Sequence, residues 1–287
     1  MAKSPAHRFG QIIGELVERG LRREFQAVAD RHGLYLDHVH PRTVRANNPK
    51  VRWRDHQGNA HDLDYVFEAG GSDTVLGQPR AFIETAWRRY TKHSRNKAQE
   101  IQGAILPLAE TYAQYRPYLG VVLGGVFTEG SLTQLRSHGF NLLYYPYQSV
   151  LAAFKAVGID ASYDEGTADA VFQEKVDAYE RLDEAERAKI GETLVGLHRS
   201  ELGDFLAALE AVLLRTIARV AIVTLHGERH VAVSLVDALA YVNDYAEVLT
   251  AHPFVRYEIV VHYTNGNEVK GQFGDKGSAL VFLRLFT

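Results

Sequence analysis

The sequence predicts an α/β protein: a mixed central sheet flanked by helices, followed by a helical segment and a C-terminal α+β module. Three observations carry this reading. Strand-like and helix-like runs alternate over residues 81–157, the βαβα order that lays crossover helices on a sheet. Upstream, the strand-like runs 51–55 and 60–67 flank Gln57-Gly58-Asn59, which is hairpin chemistry and implies antiparallel pairing. Near the C-terminus a strand–strand–helix order occurs twice, at 219–245 and 256–286, and predicts two ββα repeats.

Taken in order, Phe9, Ile13, Val17, Leu21, Phe25 and Val28 recur at three- and four-residue intervals, so 4–32 is an amphipathic helix that Gly33 ends. Residues 34–36 begin a short extended segment, and 41–50, rich in Arg, Asn and Pro, reads as a loop. The hairpin follows, then a glycine-rich loop, then a strand at 81–87. From Ser94 the period changes: Ile101, Ile105, Leu108 and Tyr112 mark the buried face of a helix, with Pro107 as its expected kink. Residues 118–127 form an apolar, glycine-dotted strand covered on both faces. Helix 129–138, strand 140–145 and helix 147–157 complete the first domain, 1–158. Residues 159–214 are expected as a helical linker, and 215–287 as a module for recognition or dimerisation.

Composition narrows the chemistry. A hydrophobic content of 46% supplies a core, and the absence of cysteine excludes disulfides, iron–sulfur clusters, thiolate zinc sites and cysteine nucleophiles. Any metal must be held by oxygen or histidine. No His-x3-His pair falls in a helix-patterned run, and no GxxxxGKS loop occurs. The sequence has neither a signal-peptide core nor a run of about 18 apolar residues, so a cytoplasmic protein without a membrane partner is expected. The net charge of −3 conceals an asymmetry: residues 1–150 carry 19 Lys+Arg against 14 Asp+Glu, and 151–287 carry 13 against 21. A basic front half suits phosphate, because affinity for a polyanion comes from counterions displaced near the contact.

Period-two alternation in the strand 61–67 sets Asp62, Asp64 and Val66 on one face, and in the next strand Phe82, Glu84 and Ala86 share a face. If the two strands pair, Asp64 and Glu84 hold one hard cation. Hydrolysis of a phosphodiester needs such a cation, Mg²⁺ or Mn²⁺, to activate water and neutralise charge on the phosphate. A glutamate between Phe82, Ile83 and Trp87 heads for the sheet interior, where a charge needs a partner or a metal.

An acidic residue in a hairpin strand, then a glutamate, any residue and usually a lysine in the next strand, followed by a helix, is the signature of the PD-(D/E)XK nuclease superfamily. Leu63-Asp64-Tyr65-Val66-Phe67 resembles its first motif and Phe82-Ile83-Glu84-Thr85-Ala86 its second, and the order of elements over about residues 5–157 is similar to its fold. The resemblance implies a restriction-endonuclease-like sheet and a Mg²⁺-dependent deoxyribonuclease acting on double-stranded DNA, by analogy as a homodimer. It also implies metal ligation by Asp64 and Glu84, with Glu15 or Glu18 of the first helix as a further carboxylate.

Ala86 departs from the pattern, since the family's lysine orients or deprotonates the attacking water. Three explanations stand. The basic residue has moved to the next helix, with Lys97 as first candidate and Lys92 as second; the chain is a catalytically silent DNA-binding or assembly subunit; or the alanine is an engineered inactivation. On the first, Lys97 is catalytic and Glu100, one turn away, joins Asp64 and Glu84 at the metal, with Gln102 a further polar position. The basic run carrying Arg88, Arg89, Lys92, His93, Ser94 and Arg95 is expected to grip the phosphate backbone, with His61 nearby in sequence.

Overall fold

The computed structural model describes residues 4–224, 228–248 and 253–286; the side chains of His93 and Glu228 lie outside the described set, and the turn expected at 225–227 falls outside the described residues. The chain divides into two compact units, Met1–Glu210 and Ala211–Thr287.

In the first unit the elements run α1 (Pro5–Arg31), β1 (Tyr35–His38), β2 (Val51–Arg54), β3 (Ala60–Leu63), β4 (Tyr65–Ala69), β5 (Gln78–Arg88), α2 (Ser94–Thr111), β6 (Tyr118–Gly125), α3 (Glu129–Ser137), β7 (Asn141–Pro146), α4 (Tyr147–Lys155), α5 (Asp169–Glu180), α6 (Glu184–Leu197) and α7 (Arg199–Leu213). Five strands form one sheet in the order β1-β4-β5-β6-β7. β1, β4 and β5 pair antiparallel, whereas β5, β6 and β7 pair parallel, so the sheet is mixed and β5 is the strand where the two halves meet.

Both faces of this sheet are covered. On one side Phe82, Ala86, Val121 and Leu123 pack with Ala98, Ile101, Ile105 and Leu108 of α2. On the other, α1 contributes the buried Phe9, Ile13, Val17, Leu21 and Phe25, the last meeting Tyr65 and Phe67 edge-on at centroid distances of 5.1 and 5.9 Å. The near-continuous burial of β6 is what a parallel strand between two helical layers requires. Its terminal Gly125 has φ of 102°, and a Cβ there would lie 2.1 Å from the Arg88 carbonyl oxygen, so no side chain is tolerated where β5 and β6 end together.

Two expectations are corrected. The strand 60–67 is not continuous: β3 pairs with β2 in a two-stranded sheet of its own, β4 joins the central sheet, and Asp64 forms the bend between them. Asp62 and Asp64 therefore do not share a strand face. The second concerns 159–214, expected as a linker. α5 and α6 pack on α1, and α6 on α4, so the first unit runs on to Glu210.

The second unit contains β8 (Ile217–Thr224), β9 (Glu228–Ala232), α8 (Leu235–Asp244), β10 (Tyr257–Tyr263), β11 (Glu268–Phe273) and α9 (Lys276–Arg284). Its sheet has the order β11-β10-β8-β9, antiparallel throughout. Val220, Ile222, Tyr257, Ile259 and Val261 form its core with Ala238, Val242, Ala279 and Leu283 of the two helices. Among the described residues no helix is long and apolar enough to cross a membrane.

Candidate active site

The bend at Asp64 exists because its side chain substitutes for strand pairing. Oδ2 accepts the backbone N–H and the hydroxyl of Thr85, each at 2.7 Å. The β4–β5 register pairs Tyr65 with Ile83, so Asp64 stands one residue further on, beside Glu84. Burial raises the Asp64 carboxyl above its ordinary range, opposed by the Thr85 donors and by Lys97.

Glu84 sits near the middle of β5 with only 13% of its side chain exposed, and Oε2 is buried without a hydrogen-bond partner. Its nearest cation is Lys97 of α2, whose Nζ is 3.7 Å from Oε1 and whose side chain is itself only 17% exposed. Burial first, and the neighbouring Asp64 second, push Glu84 well above the usual carboxylate range, with Lys97 pulling the other way. No ion pair within 4 Å joins Lys97 to Asp64; its ion-pair partners are Glu84 and Glu100.

A third carboxylate enters from α1. Glu18 is half-buried and raised to about 7, mainly by burial and then by Asp64, with a smaller contribution from Glu15. The backbone carbonyl of Glu18 accepts the buried Tyr65 hydroxyl at 2.7 Å, which ties α1 to the start of β4. Three carboxyls thus influence one another, with one half-buried lysine among them. Glu15 itself is engaged elsewhere, with Arg8 at 3.5 Å and Arg19 at 3.9 Å.

The remaining candidates are distributed differently from the sequence expectation. Glu100 is 59% exposed and bridges Lys97 at 3.5 Å and Arg88 at 3.7 Å, so it serves two cations instead of joining Asp64 and Glu84. Among the described residues no group of three or more His, Asp or Glu side chains is arranged to hold a metal ion. Arg89 is turned inward: its guanidinium donates twice to the Tyr163 carbonyl and lies 3.9 Å above the Tyr147 ring. The Ser94 hydroxyl, fully buried, donates to the Thr91 carbonyl at 2.8 Å. Lys92 pairs with Glu165 on the surface at 2.5 Å, Arg88 donates to the Trp87 carbonyl, and Arg95 is exposed. The expectation for His93 falls on a side chain outside the described set. His61 is bound to Asp55 at 2.9 Å within the hairpin. Gln102 accepts from Gln134 at 3.3 Å, and its own Nε2 is buried without a partner.

Sequence reasoning missed Thr85, which fixes Asp64, because a threonine in a strand carries no signal of its own. It also missed the basic face of β2, although Lys50-Val51-Arg52-Trp53-Arg54 alternates charge and bulk in plain view.

No family model matches this chain, and no curated protein matches it. A solved structure titled "Crystal Structure of Protein of Unknown Function AF1548" is similar over 69% of this chain and 98% of its own, with 13% identity and a TM-score of 0.28.

Proposed function

We propose that the first unit is a metal-dependent nuclease domain of the restriction-endonuclease-like kind, hydrolysing DNA phosphodiester bonds at Asp64, Glu84 and Lys97. The observation that carries this reading is the buried, half-unpartnered Glu84 carboxylate, beside Asp64 and facing Lys97 at 3.7 Å. An unpaired buried carboxylate oxygen is costly, and one that neighbours two more acidic groups sits in an excess of negative potential that a cation relieves.

The donor set fits a hard divalent ion. Asp64 and Glu84 offer oxygen only, and Mg²⁺ is commonly held by one or two carboxylates, with water and phosphate oxygens completing its shell. Two protein carboxylates are therefore enough, and Glu18 is near enough electrostatically to act through water. When bound, such an ion lowers the pKa of a coordinated water and offsets charge on the phosphate. Glu84 and Asp64 hold the ion's side of the site. The Lys97 ammonium, anchored on α2, is positioned to orient the attacking water or to donate to a phosphate oxygen. Lys97 thereby takes the place that Ala86 leaves empty: Ala86 is 6% exposed and packs in the apolar layer between β5 and α2.

The mixed sheet with β5 at its antiparallel–parallel junction supports the same reading, as does the order of elements from α1 to α4. We further assign the two strand–strand–helix units of the C-terminal module as repeats serving recognition or homodimerisation on double-stranded DNA. The competing reading is a catalytically silent DNA-binding subunit, and the apolar packing of Ala86 is what favours it. Plasmid nicking with Mg²⁺ or Mn²⁺ separates the two. Activity in the protein that is lost in Glu84→Ala and Lys97→Ala supports the enzyme; activity that appears only in Ala86→Lys supports the silent relative.

A further inference from the structure

The solvent face of β2 carries Lys50, Arg52 and Arg54 at alternate positions, at the strand's edge and along it, while Val51 and Trp53 point into the core. Two residues of strand advance about 6.7 Å, so the three cations are spaced much as successive phosphates are along an extended strand. They line a groove of 450 Å³ together with Asn48 and the partly exposed Val44 and Leu76. Neither Asp64 nor Glu84 lines this groove, yet β3, the partner of β2, runs directly into Asp64, and Val51 pairs with Leu63.

The groove is built rather than incidental. Its walls come from the loop after β1 and the loop after β4, and a fully buried ion cluster joins the two. Arg42, 0% exposed, donates to both Glu68 oxygens at 2.6 and 3.0 Å and to the carbonyls of Ser72 and Val75. Asp37, also buried, takes Arg42 at 2.8 Å and Arg45 as well, and Glu68 accepts the Gly77 N–H at 2.7 Å. Arg45 also donates to the carbonyls of His40 and Asn48 with its side chain only 8% exposed, so it fixes the wall and adds to the field.

Free donors remain on the strip. Asp62, opposite Arg52 in register, is the counter-ion: it accepts from Lys50 Nζ at 2.7 Å and from Arg52 Nε at 2.8 Å, and these partners lower it to about 2. Arg54 is held only through Nη1, by the Gly58 carbonyl at 2.8 Å. One carboxylate thus pairs with two of the strip's three cations.

We propose that this groove binds the sugar–phosphate backbone of the nucleic acid whose scissile bond lies at Asp64 and Glu84, with Asp62 as a gate that Lys50 and Arg52 leave for phosphate. The assignment deepens the nuclease reading and rests on it for the identity of the ligand. It also places the principal phosphate contacts on β2 and not on the run after β5, where Arg89 and Ser94 are bound internally.

The test is fluorescence anisotropy of a labelled DNA duplex with the full-length protein in EDTA, where no metal-dependent cleavage occurs, as salt is varied. Arg52→Gln/Arg54→Gln is expected to bind about tenfold more weakly at low salt and to flatten the slope of log K against log salt by about 2, since each phosphate contact contributes about 0.9. Asp62→Asn is expected to bind several-fold tighter, a gain that misfolding does not produce. An unchanged slope in the double variant together with no gain in Asp62→Asn overturns the proposal, as does displacement of DNA by poly-glutamate at equal charge, which marks a surface indifferent to phosphate. Nicking assays run alongside keep the two readings apart. If slope and gain behave as expected but no metal yields cleavage, the groove stands and the enzyme falls; if DNA is cut while both variants bind as the parent does, the reverse holds.

Discussion

Lys97 Nζ lies 3.7 Å from Oε1 of Glu84, and among the described residues it is the cation in ion-pair range of that buried carboxylate. The pair spans two elements, α2 and β5, whose shared apolar layer holds both side chains in place. Removing Lys97 leaves the buried Glu84 carboxyl without that cation, whereas Lys97 keeps Glu100 if Glu84 is removed. Lys97→Ala is expected to lower metal-dependent nicking about 100-fold or more, the usual scale for a lost proton-transfer or water-orienting group. Lys97→Arg keeps the charge and should recover part of it. Rates of plasmid nicking under saturating Mg²⁺ check both.

Glu18 makes stability depend on pH in a definite direction. Its folded carboxyl titrates at about 7 against an ordinary 4.5. Between those values the folded chain keeps a proton that the unfolded chain has released, so in EDTA stability falls as pH rises from 4.5 to about 7 and levels off above. Asp64 and Glu84, also raised, act with the same sign. Glu18→Gln removes its share, worth about 2 kcal/mol after discounting its partial exposure. Urea unfolding at pH 5 and pH 8 should therefore show a smaller difference in the variant than in the parent.

A divalent cation at the Asp64–Glu84 pair reverses that trend, because ligation requires deprotonated carboxylates. Millimolar Mg²⁺ or Mn²⁺ is expected to raise Tm by several degrees at pH 8 and by less at pH 6. Glu84→Ala should abolish the increment at both. Equal increments at both pH values, or an increment that survives in Glu84→Ala, would locate the ion elsewhere.

The Arg42–Glu68 contact is a buried bidentate ion pair, both side chains 0% exposed. Glu68→Ala removes both hydrogen bonds of that pair but leaves Arg42 with Asp37 at 2.8 Å as counter-ion, so it is expected to cost about 3 kcal/mol, the low end for a broken buried pair. Denaturant unfolding measures the loss. Because the pair fixes the walls of the β2 groove, hydrogen exchange in residues 70–77 should rise in the same variant.

Much of the architecture was legible because periodicity reports burial directly. Phe9 to Val28 at helical spacing marked α1, and the uninterrupted apolar run of residues 118–125 marked a strand covered on both faces. The bend at Asp64 was not legible: alternation alone favours a continuous strand, and what breaks it is a pair of hydrogen bonds from Thr85, twenty-one residues away. The inward turn of Arg89 was equally hidden. A basic run reads as a phosphate grip until the rings of Tyr147 and Tyr163 are brought to it from distant sequence.

The sequence by itself determined most of the elements and their order, since these follow from local pattern; that Asp64 stands beside Glu84, in a bend between β3 and β4, was decided by the fold. Only the tertiary structure decided which charges share an environment. It set Lys97 against Glu84 and Glu18 near Asp64, drew Glu100 toward Arg88, and enclosed Arg42 with Glu68 and Asp37. Burial and electrostatic coupling depend on distances between residues far apart in the chain, and those distances are settled only when the helices close over the sheet.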